Sequence, residues 1–369
     1  MFNVGNLSEY KKKLYLGVLF SSIFIFLCFC LQNFFPQNEV FFSSGSTLFL
    51  INLIKLIIFL FFIPITVGAG ILYSKIALIL KLDFYKKNNI LLKDINLNFL
   101  TGFCFISVLG FLFGALNLLN YKMVSILFSI FIIFFFLNIN FLKYFSWKVI
   151  VPIILLLIFG IYKYINPETW SQDSISWYLY MTNNISFFQD GSHFLNEGHW
   201  FIWFLTRGNG VILFWSSITD GDSTRLISVY CLFGSCLFLY DVFKISFKDL
   251  NKNKTFNLIF LLSAFLFLLT RASFGEYQKY HIVTLFFLSG FYWFLIKSLN
   301  YQKFDYSNPI YLIIAATVLD KTYSAFFLTV IFIAILFFKK STINFGIFFK
   351  DLKQNYKILL FTFFIILGC

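Results

Sequence analysis

Charge is scarce in this chain: Asp, Glu, Lys and Arg make up 12% of it, against 60% apolar residues. With repeated apolar runs near the ~20 residues that a membrane-crossing helix needs, that balance excludes a soluble globular fold. The runs also lack a period-two alternation of polar and apolar residues, which argues against a β-barrel. Cysteine occurs at positions 28, 30, 104, 231, 236 and 369, always inside apolar runs. No disulfide framework or zinc site is therefore indicated, and small apolar packing is the expected role. No small-residue cleavage site accompanies the first apolar segment, which is too long for a signal-peptide core, so it is expected to remain as an anchor. The net charge of +13 does not point to nucleic acid, because the lysines gather on loops that the positive-inside rule would fill. No internal repeat is visible, and the abundance of Phe, Ile, Asn and Lys reads as compositional bias.

The expected fold is all-α, a polytopic transmembrane helical bundle of about 9–11 spans with one long outer-face loop containing interfacial helices. Candidate spans cover roughly 14–35, 47–66 with a continuation past Pro64 to 80, 99–119, 122–141, 149–165, 226–243, 256–270, 281–298 and 309–338. The last reads either as one long helix or as a broken pair. Lys11, Lys12 and Lys13 precede the first span and Lys81, Lys86, Lys87 and Lys93 follow the second, whereas 36–46 has no Lys or Arg. The N-terminus is accordingly expected on the cytoplasmic side. On the same reasoning Lys143 and Lys148 lie inside, and Lys244, Lys248, Lys252 and Lys254 lie inside again, provided one span separates them from the outer loop. The run 209–219 is too short to cross, so it is expected as a helix at the outer interface, with the crossing made by 226–243. Three regions follow: an N-terminal helical group (1–165), the outer loop (166–224) and a second helical group (225–369). The chain stops at Cys369 in an apolar run that begins near Lys357, so a C-terminally truncated fragment is expected.

The one polar interruption is 166–224, which gathers Glu168, Asp173, Asp190, His193, Glu197, His199, Arg207, Asp220 and Asp222 between phenylalanine-rich runs. Trp170, Trp177, Trp200, Trp203 and Trp215 fall in it, and Arg207 is its one Lys or Arg. A segment of roughly sixty residues that is rich in aromatics and poor in Pro reads as functional rather than disordered. From Asp173 to Phe188 the apolar spacing fits an interfacial helix with Asp173 at its N-terminal end.

The segment Trp170-Ser-Gln-Asp173-Ser-Ile-Ser-Trp-Tyr178-Leu, followed by Asp190-Gly191, resembles the first outer loop of the GT-C class of membrane glycosyltransferases. That class includes the protein mannosyltransferase-like and aminoarabinose transferase-like enzymes. Arg207-Gly-Asn-Gly210 with Phe214-Trp215, then Gly221-Asp222-Ser-Thr-Arg225-Leu-Ile-Ser228, is similar to the family's basic residue, short interfacial helix and the motif that opens its next span. Lys321-Thr-Tyr323 resembles a later lysine-bearing element, so the likeness covers roughly 166–338. Two departures stand out. Ser174 occupies the place where many relatives carry a second acidic residue, and Tyr280-His281 stands where a later outer loop often offers one. The resemblance implies an outward-facing transferase in a cytoplasmic, bacterial-type membrane, with a polyprenyl-phosphate sugar donor and a lipid, glycan or protein acceptor. No cofactor or metal is assigned.

Glycosyl transfer from a lipid phosphate needs a carboxylate to take the acceptor's proton and cations to steady the departing phosphate. Asp173 is the candidate base, and Arg207, whose planar fork matches phosphate, is the first phosphate partner, with Lys321 the second. A lone carboxylate above a membrane groove fits an inverting mechanism. Tyr178, Glu197, His199 and His281 are candidate substrate contacts. Each has a plainer account. Asp173 also serves as a helix cap, Arg207 as a head-group anchor, and Lys321 as a partner of Asp320. The His193, Glu197 and His199 spacing is unspecific for a metal, and the aromatic residues suit an interfacial belt. Lys55 and Lys75 snorkel or mark the true end of the second run. A polymerase or ligase of surface polysaccharide shares the loop signature. A transporter or flippase of lipid-linked sugars would instead need broken or charged helices in symmetric halves.

Overall fold

The computed structural model describes residues 4–34, 45–79, 94–116, 118–139, 210–219, 226–246, 278–300 and 309–320, together with Ile150, Ile154 and Ile158. Among the described residues the chain is helical and has no strand. The elements are α1 (Val4–Phe34), α2 (Gly45–Leu60), α3 (Phe62–Ile79), α4 (Ile95–Ala115), α5 (Tyr121–Asn138), α6 (Gly210–Ile218), α7 (Leu226–Ser246), α8 (Gln278–Asn300) and α9 (Pro309–Asp320). Four stretches, Ser8–Phe34, Phe49–Ala77, Ile95–Gly114 and Tyr121–Asn138, are long and apolar enough to cross a membrane. The protein is a membrane-embedded helical bundle. The expected spans at 149–165 (apart from the three isoleucines), at 256–270 and beyond Asp320 lie outside the described residues.

The second expected span is one crossing with a break in it. Pro64 has no N–H to give the Leu60 carbonyl, and its ring crowds that carbonyl. The helix accordingly stops at Leu60 and restarts at Phe62, with Phe61 N donating to Ile58 O at 3.1 Å and Ile65 N to Phe61 O at 2.9 Å. α4 begins where the Asp94 carboxylate accepts from the N–H groups of Asn96 (3.0 Å) and Leu97 (3.3 Å). α5 begins in the same way, with Asn120 accepting from Met123 N at 2.9 Å.

Contacts between helices set their directions. Ser21 Oγ donates to the Ser129 carbonyl, Asn33 approaches the Tyr121 hydroxyl, and Phe20 stacks on Phe136, so α1 and α5 are antiparallel. The backbones of α3 and α4 touch. A Cβ on Gly102 would overlap the Thr66 carbonyl, and one on Gly70 would overlap the Asn98 carbonyl. Gly68 sits equally close to the Phe131 carbonyl of α5. Small residues are what a bilayer helix seam requires, because lipid offers no hydrophobic driving force and association rests on close packing. Several hydroxyls inside the bundle are satisfied on their own helices: Ser74 on Gly70, Thr101 on Leu97, Ser107 on Phe103 and Thr317 on Ile313.

α7 and α8 run parallel, Phe286 lying against Gly234 and Trp293 stacking on Phe238 further along both. Two successive parallel helices require the chain to return between them, and the segment that joins them, 247–277, lies outside the described residues. Asp94, Asp241 and Lys297 all lie at the end of the bundle that α1 enters with Lys11 to Lys13, and Gln32, Asn33 and Tyr121 lie at the opposite end. Phenylalanine fills the core by ring contacts, as in the Phe62–Tyr230 stack at 4.4 Å and the Phe59–Trp215 stack at 4.6 Å. The outer face of α1, including Ile25, Phe26 and Phe29, is left for lipid.

Candidate functional site

Asp173, Tyr178, Glu197, His199, Arg207 and Lys321 lie outside the described residues. His281 falls in the first turn of α8, and Asp320, the neighbour of Lys321, ends α9. Of the seven candidates, therefore, only the backbone position of His281 is described, and how the others are arranged lies outside the described residues. It does describe how the polar segment rejoins the bundle, through α6 and α7.

α6 forms where the sequence predicts a short helix, and its apolar side chains pack into the bundle: Val211, Phe214, Trp215 and Ile218 are all buried. Phe214 meets Phe113 of α4 and Phe128 of α5, and Trp215 lies among Phe59, Phe62 and Phe128. The aromatic side chains of this nine-residue helix thus join it to α2, α3, α4 and α5. Its C-terminal end is tied down. Gln32 Nε2 donates to the Ile218 carbonyl at 2.7 Å, and the Thr219 hydroxyl donates to the Trp215 carbonyl at 2.8 Å. The Ile218 carbonyl is one that a helix end leaves without a partner on its own helix, while the Trp215 carbonyl accepts from both the hydroxyl and the backbone N–H of Thr219. The Trp215 indole N–H has no acceptor among the described residues.

No family model matches the chain, and no curated protein or solved structure matches it either.

At the opposite end the bundle holds a second polar group that the sequence reading did not assemble. Lys297 of α8 pairs with Asp94, the residue that caps α4, and its ammonium also lies 4.7 Å from the centre of the Trp293 ring. Asn96 Nδ2 donates to Asp241 of α7 at 2.9 Å. Three helices distant in sequence are thus joined by one carboxylate–ammonium pair and one charge-assisted hydrogen bond, both partly buried. The available signal was Asp241 and Lys297 standing in apolar runs, since such charges are retained only with partners. The partners themselves were unreadable, being separated by 145 and 203 positions. Each carboxylate here is engaged with a neighbour, so the group is suited to joining helices. Among the described residues no set of three His, Cys, Asp or Glu converges as a metal site.

Proposed function

We propose that the chain is a membrane glycosyltransferase that moves a sugar from a polyprenyl-phosphate donor to a lipid, glycan or protein acceptor at the outer face of a bacterial cytoplasmic membrane. The observation that carries this reading is the ordered series Asp173, Tyr178, Arg207, Asp222-Ser-Thr-Arg225 and Lys321, set in the one polar break between apolar runs. Two structural features support it. The polar segment leads into α6 at the end of the bundle opposite Lys11 to Lys13, as an outer loop requires. α7 (Leu226–Ser246) follows the Asp222-Ser-Thr-Arg225 run in the chain, as a span entered from that motif would.

In this reaction the Asp173 carboxylate accepts the proton of the acceptor hydroxyl as that oxygen bonds to the anomeric carbon. The bond from that carbon to the phosphate oxygen breaks, and the electron pair leaves with the phosphate. Arg207, and Lys321 after it, balance the charge that builds on the leaving group. Base and leaving group lie on opposite faces of the sugar, so the anomeric configuration inverts. Tyr178, Glu197, His199 and His281 contact the sugar or the acceptor.

The test is transfer of radiolabelled sugar from polyprenyl-phosphate donors to a cell-envelope extract by the purified protein in detergent. Asp173→Asn and Arg207→Ala should each abolish transfer while leaving the folded fraction intact. Undiminished transfer by Asp173→Asn removes Asp173 as the base. A lengthening ladder of products in place of a single addition identifies a polymerase, and absence of transfer from every donor overturns the enzymatic reading.

A further inference from the structure

Lys75 stands inside the membrane-length apolar stretch Phe49–Ala77. α3 runs antiparallel to α4, with Thr66 beside Gly102 and Gly70 beside Asn98, so Lys75 lies at the end of the bundle that holds Asp94 and Lys11 to Lys13. Beyond it Ile76 and Ile79 are exposed, and Ile79 closes the helix. The lysine is therefore set back from that end by about 6 Å of apolar helix. A charge at such a depth is costly, and it is kept where it finds a counter-charge or reaches the head groups along its own stem. Lys13 and Lys297 meet carboxylates, on Glu9 and Asp94. Lys75 meets none among the described residues; half-buried, it lies over the ring of Phe134 in α5, 5.2 Å from the ring centre. Phe134 shares one stripe of α5 with Ile126, Ile130 and Asn138, all three exposed. The Asn138 amide, one turn beyond the ring, donates to the Phe134 carbonyl at 2.7 Å. A cation and an amide thus stand at the lysine-rich end of an apolar seam, formed by α3 and α5, that is open to lipid.

We propose that this seam binds an anionic phospholipid from the leaflet at the Lys11–Lys13 end, with its phosphate on Lys75 and its chains along Ile130 and Ile126. Charge complementarity selects the occupant: basic positions between membrane helices on the lysine-rich side hold acidic head groups. A zwitterionic head group brings its own ammonium towards Lys75 and gains less. The Phe134 ring keeps the lysine in the seam, where the phosphate of a lipid packed against α5 comes within its reach. Free phosphate has no chains to lay on Ile126 and Ile130, so the ligand is a lipid. The site is independent of what residues 166–224 do.

The test titrates the full chain in detergent with dioleoyl phosphatidylglycerol or dioleoyl phosphatidylcholine and reads bound lipid by native mass spectrometry. Wild type should prefer phosphatidylglycerol about five-fold, the advantage that one lysine gives near a membrane surface. Lys75→Gln should lose the preference and Lys75→Arg should keep it. Lys122→Gln, which removes an exposed lysine at the opposite end, should also keep it. Glycerol phosphate, the head group without chains, should leave the lipid bound. Wild type alone supplies a second readout: phosphatidylglycerol with a diazirine in one chain should label 126–138 more than the matched phosphatidylcholine does. Equal affinity of wild type for the two lipids overturns the site, as does an undiminished preference in Lys75→Gln. Displacement by glycerol phosphate, or extra labelling confined to the Lys11–Lys13 segment, overturns it too.

Discussion

Replacing Gly102 by alanine tests the seam on which the bundle's geometry depends. The added methyl would lie 2.7 Å from the Gly70 nitrogen and 2.8 Å from the Thr66 carbonyl carbon, and nearer still to the carbonyl oxygen. Carbon contacts are favourable at about 3.5–4 Å, so α3 and α4 must separate by about 1 Å or more. The obstructing atoms belong to backbone, so no rotamer change relieves them. Overpacking of this kind costs about 1–3 kcal/mol, and the lack of any yielding side chain puts Gly102→Ala at the upper end. Gly290→Ala is the internal comparison. Its new methyl would meet the tip of Leu100, with Cδ1 at 2.6 Å, and a leucine tip turns aside. Gly17→Ala is milder again, its nearest neighbour being the Ile133 Cα at 3.2 Å. Unfolding in mixed micelles by rising fractions of sodium dodecyl sulfate, followed by fluorescence of buried Trp215 and Trp293, gives the midpoints. The expected order of destabilisation is Gly102 first, then Gly290, then Gly17. A Gly102→Ala midpoint equal to wild type, or above that of Gly290→Ala, refutes the backbone contact between α3 and α4.

Asp94→Asn keeps an oxygen to cap α4 but removes the charge facing Lys297, and the same unfolding assay should show a loss of about 1–3 kcal/mol. The double variant with Lys297→Met should lose less than the two singles combined, by at least ~0.5 kcal/mol; strict additivity would mean the pair contributes nothing. Trp215→Phe keeps a stacking ring and removes an indole N–H that has no acceptor among the described residues, so it should change stability by under ~1 kcal/mol or raise it. A larger loss would reveal an acceptor. Single cysteines at Ser8 and Leu116, both exposed and at opposite ends of the bundle, should react with a membrane-impermeant maleimide from opposite faces. Reaction of Leu116→Cys from the outside matches the lysine distribution, and labelling of both from one face contradicts the helix order.

Several features were legible because they depend on local composition. An apolar run of spanning length has to be helical, since lipid cannot satisfy a bare backbone. Accordingly α4, α5, α7 and α8 lie within a few residues of the runs that predict them, and α1 matches its run at the C-terminal end but starts well before it, at Val4. The lysine clusters anticipated which helix ends lie together, whereas the second run read as continuing past Pro64 to 80 and its break at Phe61 was not anticipated. Glycine contacts were not legible, because a Gly in an apolar run looks the same whether it faces lipid or a neighbouring backbone. The packing partners of α6 were not legible either, because Phe59, Phe62 and Phe128, which surround Trp215, come from distant parts of the chain.

By itself, then, the sequence determined a membrane-embedded helical protein and singled out 166–224 as its one polar interruption between apolar runs, because hydrophobicity and charge act through the solvent and need no partner. Only the tertiary structure decided that Lys297 neutralises Asp94, that Asn96 meets Asp241, and that Tyr230 touches both Phe59 and Phe62 across the break at Phe61. Those are pairwise contacts between residues far apart in sequence, set by which helix faces pack together, and composition holds no record of them.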